Sequence, residues 1–380
     1  MDQVKRTTNK LKVLTIFGTR PDAIKMAPVV LELERRSDEV ELTVAVTGQH
    51  REMLEQVLSA FEIEPDYDLR IMQPRQSLFD ITSRVLMGLE SVMKRSEPDM
   101  VLAQGDTSTT FVAALAAFYN KVAFGHVEAG LRTDDKYDPF PEEINRRLTS
   151  RLADLHFAPT QAARDNLLAE GIGADSIHVT GNTIIDALLM VAAKPHEFKD
   201  NALREACSSG KMILITAHRR ENWGEPMRNI CRAVKSLVAQ YPDVNVVFPV
   251  HRNPAVRDVV FPELEGQERT LLIEPPEYVP FVHLMKSAYL ILSDSGGVQE
   301  EAPSLGKPVL VLRRTTERPE GVAAGSAKLV GTDPDTIISE AGALLNDANR
   351  YDQMARTNNP YGDGKAAMRI ADIVLSYCTP

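Results

Sequence analysis

"AYLILSDSGGVQEEAPSLGKPVLVLR", residues 288–313, runs from one apolar segment through a Gly-Gly turn and a short polar stretch into a second apolar segment. Both flanking segments, 288–294 and 308–313, are apolar on successive residues rather than alternating ones, as expected of strands covered by helices on both faces. Strand, turn, helix, strand is the parallel α/β unit, and the same alternation recurs along the chain.

In the first half the predicted strands are residues 12–17, 41–47, 99–104, 122–128, 155–160 and 177–182. The second half restarts the pattern at 211–217, 244–250 and 270–275, before the two runs quoted above. Residues 190–210, "MVAAKPHEFKDNALREACSSG", are polar and lack a strand, which suits a linker. The expectation is two doubly wound, Rossmann-like domains, residues 1–190 and 191–365, with a cleft between the two sheets as the expected site.

The bulk numbers agree with that division. A chain of 380 residues exceeds one ordinary core. Its 43% hydrophobic and 25% charged residues are those of a soluble globular protein. A formal net charge of -10 argues against a general nucleic-acid surface, which needs clustered Lys and Arg. Cys207, Cys231 and Cys378 are odd in number and widely separated, so they support neither a disulfide framework nor a CxxC metal site, and a reducing cytoplasm fits best. The opening "MDQVKRTTNK" is polar, and the apolar run after it is too short for a signal peptide or a membrane span, so a soluble, unexported protein is expected.

Ligands of doubly wound sheets bind beyond the carboxyl ends of the strands, so the residues just after each run carry the chemistry. "FGTRPDAIK" places Arg20 and Lys25 around a helix start, with Pro21 in its first turn. That makes an anion site, although such turns also occur for packing alone; it is neither a Walker loop nor GxGxxG. "AQGDTSTTF" puts Asp106 at a strand end, where it either caps the next helix or faces the site. "GHVEAGLR" ends an apolar strand with Glu128, beside Gly130 and near His126, and a carboxylate there needs a partner or a task. "PFPEEINRRL" sets Glu142 and Glu143 at a helix start, with Arg146 and Arg147 one turn on; these are equally readable as surface stabilisers.

In the second half His218, Arg219 and Arg220 follow one strand and His251 follows the next, a cationic cluster suited to phosphate. Ser295, Gly296 and Gly297 offer backbone N–H groups to a diphosphate. Glu300 or Glu301, one turn further, is placed to accept two hydrogen bonds from a ribose diol, so acid and anion site serve different parts of one nucleotide. Arg318 follows the next strand. Together these point to a nucleotide-sugar enzyme of the glycosyltransferase-B type.

In order along the chain, "FGTRPDAIKMAP", "GQHREML", "QGDTSTT", "GHVEAGLRT", "PFPEEINR", "GNTIIDAL", "HRREN", "DSGGVQEEAPSLGKPVLVLR", "TTERPEG" and "NPYGDG" resemble the bacterial non-hydrolysing UDP-N-acetylglucosamine 2-epimerases over essentially the full length. The resemblance implies reversible conversion of UDP-N-acetylglucosamine to UDP-N-acetylmannosamine without metal or nicotinamide. It further implies supply of a cell-surface polysaccharide, and a homodimer. It implies Asp106, Glu128 and Glu142 as acid-base groups, with His218 in the catalytic set. Arg20, Lys25, Arg146, Phe281, Ser295, Gly296, Gly297, Glu301 and Arg318 are the implied substrate contacts. A second, regulatory UDP-N-acetylglucosamine is implied at Gln49, His50, Arg75, Gln76, Arg219 and His251. The C-terminal helix, residues 366–380, is expected to cross back onto the first domain. The chain departs from the family pattern at Asp22, Gln104, Asp138, Arg252 and Arg314, where Glu, His, Ser, Leu and Asp are familiar, and none of these removes a proposed catalytic group.

No carbonyl acidifies the sugar's C2–H bond, so the expected route expels UDP first and removes the C2 proton from an oxocarbenium-like centre, giving 2-acetamidoglucal. The alternatives are a glycosyltransferase of the same fold, which needs an acceptor groove, and a non-catalytic nucleotide-sugar sensor. Neither needs paired acids to move a C2 proton.

Overall fold

The computed structural model describes residues 10–48, 51–73, 75–133 and 135–378. Seven strands form the first sheet: Leu11–Phe17 (β1), Val40–Val46 (β2), Tyr67–Asp68 (β3), Met100–Gln104 (β4), Ala123–Val127 (β5), Leu155–Ala158 (β6) and Ile177–Val179 (β7). Six form the second: Lys211–Thr216 (β8), Val244–Pro249 (β9), Thr270–Ile273 (β10), Leu290–Ser293 (β11), Val309–Val311 (β12) and Ala327–Leu329 (β13). The orders are β3-β2-β1-β4-β5-β6-β7 and β10-β9-β8-β11-β12-β13, with every pair parallel.

Two compact units contain these sheets. One extends to Ala187 and resumes at Gly362; the other is Leu188–Tyr361. In the first, Leu14, Ile16, Val101 and Ala103 pack against Val85, Leu89 and Val112 of covering helices. In the second, Ile213, Ile215, Val246 and Phe248 meet Met227, Ile230, Val234 and Leu237. The C-terminal helix Ala366–Cys378 belongs to the first unit and packs on the helix Arg20–Arg35. Arg36 and Asp372 form a 2.6 Å ion pair there, and Asp186 Oδ1 accepts from the Ala367 amide at 2.8 Å.

Strand order decides where chemistry can gather. In each sheet the direction of winding reverses once, between β1 and β4 and between β8 and β11, and loops leaving the carboxyl ends there diverge to leave a crevice. Arg20, Lys25 and Asp106 follow the first pair of strands, and His218, Asp294 and Ser295 follow the second. Edge strands β3 and β13, of two and three residues, are absent from the sequence reading because such lengths carry no periodic signal. Within the polar segment read as a linker, residues Asn201–Ser208 form a helix capped by Asp200. No helix among the described residues is long and apolar enough to cross a membrane.

Candidate functional site

Glu128 stands one residue past β5 with φ +62°, a left-handed conformation uncommon for a residue other than glycine. Lys25 Nζ lies 2.5 Å from its Oε1, and Asn182 Nδ2 donates to the same oxygen at 2.9 Å. Gln104 Nε2 donates to Oε2. The carboxylate is buried, and both its oxygens are engaged by donors arriving from three separate parts of the unit. Gly105, next to Gln104, has φ +79°, a backbone conformation that favours glycine.

Asp106 follows Gly105. The cap of the next helix, Ser108–Asn120, is Thr107 rather than Asp106, since Thr107 Oγ1 accepts from the Thr110 amide. The capping alternative for Asp106 is therefore gone. Its Oδ2 is 3.4 Å from an Arg146 guanidinium nitrogen, and its backbone carbonyl accepts from Asn145 Nδ2 at 3.0 Å. Burial pushes the Asp106 carboxyl up to about 6; Arg146 and Lys25 oppose the shift, while Glu128 and Glu142 add to it. Glu128, Glu142, Lys25 and Arg146, read from strand ends and a helix start, thus all act on Asp106.

At the helix Glu142–Leu152 the structural and chemical duties separate. Glu143 is fully buried, holds Arg147 at 2.6 Å and accepts from the Thr133 amide at 3.0 Å. That stabilising role falls to Glu143, while Glu142 acts on Asp106 as a like charge. Arg20 opens the helix Arg20–Arg35, half-buried and, among the described residues, without a carboxylate partner. Asp22 completes a capping box with Thr19 and accepts from Thr107 Oγ1 at 3.2 Å; burial drives its carboxyl up to about 7 against those hydrogen bonds.

The second unit gathers cations. His218 stacks on His251, centroids 5.3 Å apart with 17° between planes. A Cβ on Gly296 would lie 3.8 Å from an Arg219 guanidinium nitrogen and 4.0 Å from one of Arg318, so both guanidinium groups converge on that glycine. The Ser295 amide donates a hydrogen bond to Ser293 Oγ at 3.0 Å, and Ser293 Oγ lies 2.6 Å from Thr216 Oγ1 across the strand pair. The two glutamates after the Gly-Gly turn differ. Glu300 accepts from Arg318 Nε, whereas Glu301 Oε1 is the oxygen that a Cβ on Gly297 would meet at 3.3 Å. Phe281 lies in the first turn of the helix Tyr278–Ser287, beyond the carboxyl end of β10.

Of the implied regulatory positions, Gln49 and His50 lie outside the described residues. Arg75 is exposed, and Gln76 accepts from the Gln73 amide at 3.1 Å; both belong to the first unit, while Arg219 and His251 belong to the second. No cluster of three or more His, Cys, Asp or Glu able to hold a metal ion occurs among the described residues.

The family model described as UDP-N-acetylglucosamine 2-epimerase matches residues 32–375. The chain belongs to that family. It is 55% identical to the UDP-N-acetylglucosamine 2-epimerase of Bacillus subtilis strain 168 over 366 residues, covering 96% of this chain and 95% of that protein. A crystal structure of a putative epimerase from Listeria monocytogenes superposes with TM-score 0.92 at 51% identity, covering 97% of both chains. The UDP-N-acetylglucosamine 2-epimerase of Neisseria meningitidis, in a structure bound to UDP-GlcNAc, gives TM-score 0.83 at 52% identity over 96% of this chain and 100% of that one.

Within this epimerase fold, sequence reasoning passed over three polar residues that hold the site groups: Gln104, noticed only as a departure from the family pattern, Asn182 and Asp294. Each lies at or just beyond a strand's carboxyl end and is buried. A polar residue at the end of an apolar strand was available as a signal, and for Asn182 and Asp294 it was not used.

Proposed function

We propose that this protein interconverts UDP-N-acetylglucosamine and UDP-N-acetylmannosamine. The C1–O bond to UDP breaks, a carboxylate of the first unit takes the C2 proton, and a C1=C2 double bond closes to give 2-acetamidoglucal. The proton then returns to the opposite face of C2 and the UDP oxygen re-forms its bond to C1. Atoms and electrons balance with no outside oxidant or reductant. Arg20, His218, Arg318 and the Ser295-Gly296 turn stabilise the leaving diphosphate, and removing one such donor commonly costs about 2.7–4 kcal/mol of barrier.

The single observation that carries this reading is the electrostatic grouping of Asp106, Glu128 and Glu142 with Lys25 and Arg146 at the carboxyl ends of the first sheet. An acid raised to about 6 exchanges its proton readily near neutrality, as acid-base catalysis requires. The bound ligand of the Neisseria relative supports the substrate class. A regulatory molecule of UDP-N-acetylglucosamine at Arg75, Gln76, Arg219 and His251 belongs to the same proposal. The test is incubation of the purified protein with UDP-N-acetylglucosamine alone in deuterium oxide, followed by NMR. The expected result is UDP-N-acetylmannosamine carrying deuterium at C2. Product with its C2 hydrogen fully retained overturns elimination and readdition, and no product overturns the epimerase reading.

A further inference from the structure

Asp294 follows β11 with its carboxylate wholly buried. Its Oδ2 accepts from the His218 amide at 2.8 Å, the Arg219 amide at 2.9 Å and Asn222 Nδ2 at 2.9 Å, which ties the loop after β8 to the end of β11. Its Oδ1 has no hydrogen-bond partner among the described residues. The His218 ring faces that oxygen, with Nδ1 at 3.6 Å, just outside bonding range. A buried acceptor left without a donor costs about 1–3 kcal/mol, so Oδ1 draws a donor inward.

A carboxylate only accepts, so the ring nitrogen that meets Oδ1 must carry the hydrogen. In a neutral imidazole the other nitrogen, Nε2, then presents a lone pair. A phosphate oxygen is also an acceptor, and a lone pair cannot bind it. The groups facing the ring are Asp294 after β11, His251 after β9 and Arg219 on the same loop. Burial first, then His251 and Arg219, depress the His218 pKa against the pull of Asp294, which keeps the unliganded ring neutral near neutral pH.

We propose that Asp294 is the positioning residue of His218, and that a nucleoside diphosphate binds there with uptake of one proton on His218 Nε2. The proton comes from solvent, adds to the ring lone pair, and leaves with the ligand. Charging the ring tightens Nδ1–H onto the waiting Oδ1 while Nε2–H turns to the phosphate. This rests on the reading that His218 meets the diphosphate.

The test is calorimetric titration of the full-length protein with UDP-N-acetylglucosamine at about pH 7.5, where its diphosphate diester does not titrate, in two buffers of different protonation enthalpy. Any heat of epimerisation is the same in both buffers, so the difference between them reports protons alone. The expected difference corresponds to about one proton taken up per site. In Asp294→Asn the amide oxygen keeps the three N–H donors while the amide N–H faces Nδ1, forcing the Nε2–H tautomer; uptake falls to near zero even where affinity persists. A residue that merely anchored the loop would lower affinity and leave proton uptake intact. His218→Gln, which carries a neutral N–H donor, abolishes uptake as well and keeps the test open should Asp294→Asn not fold. Binding without uptake in the unmodified protein, or uptake that survives either variant, overturns the inference. Absence of any binding removes the proposed function along with it.

Discussion

Replacing Asp106 by Asn should make the protein more stable above neutral pH while removing its activity. Burial raises this carboxyl from 3.8 to about 6, so between those values the folded state binds a proton that the unfolded chain has released. Stability therefore falls as pH rises through that window, and the full penalty is present above it. A shift of roughly two pH units at about 1.36 kcal/mol each sets a ceiling near 3 kcal/mol. The Asp106 side chain keeps 30% of its surface, and Asn costs Arg146, whose side chain is 9% exposed, this ion pair, leaving its 3.4 Å contacts to Glu143 and to the Glu142 carbonyl. Solvent screening and the lost ion pair together leave about 1–1.5 kcal/mol, or a rise of roughly 2–6 °C in the melting temperature of a folding unit this size. At about pH 3, below both values, the carboxyl is protonated in the folded and the unfolded protein alike and nearly isosteric with the amide, so variant and parent should melt together. Thermal melts of both proteins at the two pH values, alongside turnover by NMR, make the check. A variant less stable than its parent at high pH, by a margin that does not change on acidification, would refute the reasoning.

Glu128→Gln and Glu142→Gln should each lower turnover by at least about a hundredfold, the scale of acid-base loss, with UDP affinity little changed; near-normal turnover in both would unseat the assignment. Epimerisation of pure UDP-N-acetylmannosamine should be slow until a little UDP-N-acetylglucosamine is added, and Arg75→Ala should weaken that activation; hyperbolic activity on the mannosamine sugar alone removes the case for a second site. Gly130→Ala should destabilise the first unit by about 2 kcal/mol or more, measured by chemical denaturation, because φ is +95° and the new Cβ would fall 2.2 Å from the Ala163 carbonyl oxygen.

Local pattern made most of the architecture legible. Runs such as Lys211–Thr216 and Leu290–Ser293 announce themselves by unbroken apolar composition, because both faces of a parallel sheet are covered. The positions after them could be picked as site residues because ligands of doubly wound sheets bind beyond the carboxyl ends of the strands, while the points where winding reverses, β1 against β4 and β8 against β11, came only with the strand order. The short edge strands β3 and β13 escaped, since they are held by pairing with a neighbour rather than by any pattern of their own.

Which acids and cations stand at strand ends is legible along the chain, because chain direction and strand composition are local properties. What each one touches depends on how the strands pair. Lys25 and Glu128 are 103 residues apart, Asn182 and Glu128 are 54 apart, and His218 and Asp294 are 76 apart. No periodicity of 2 or 3.6 residues reaches such distances. Those contacts are set by the order in which strands pair, which brings together side chains whose separation along the chain carries no information about their separation in space.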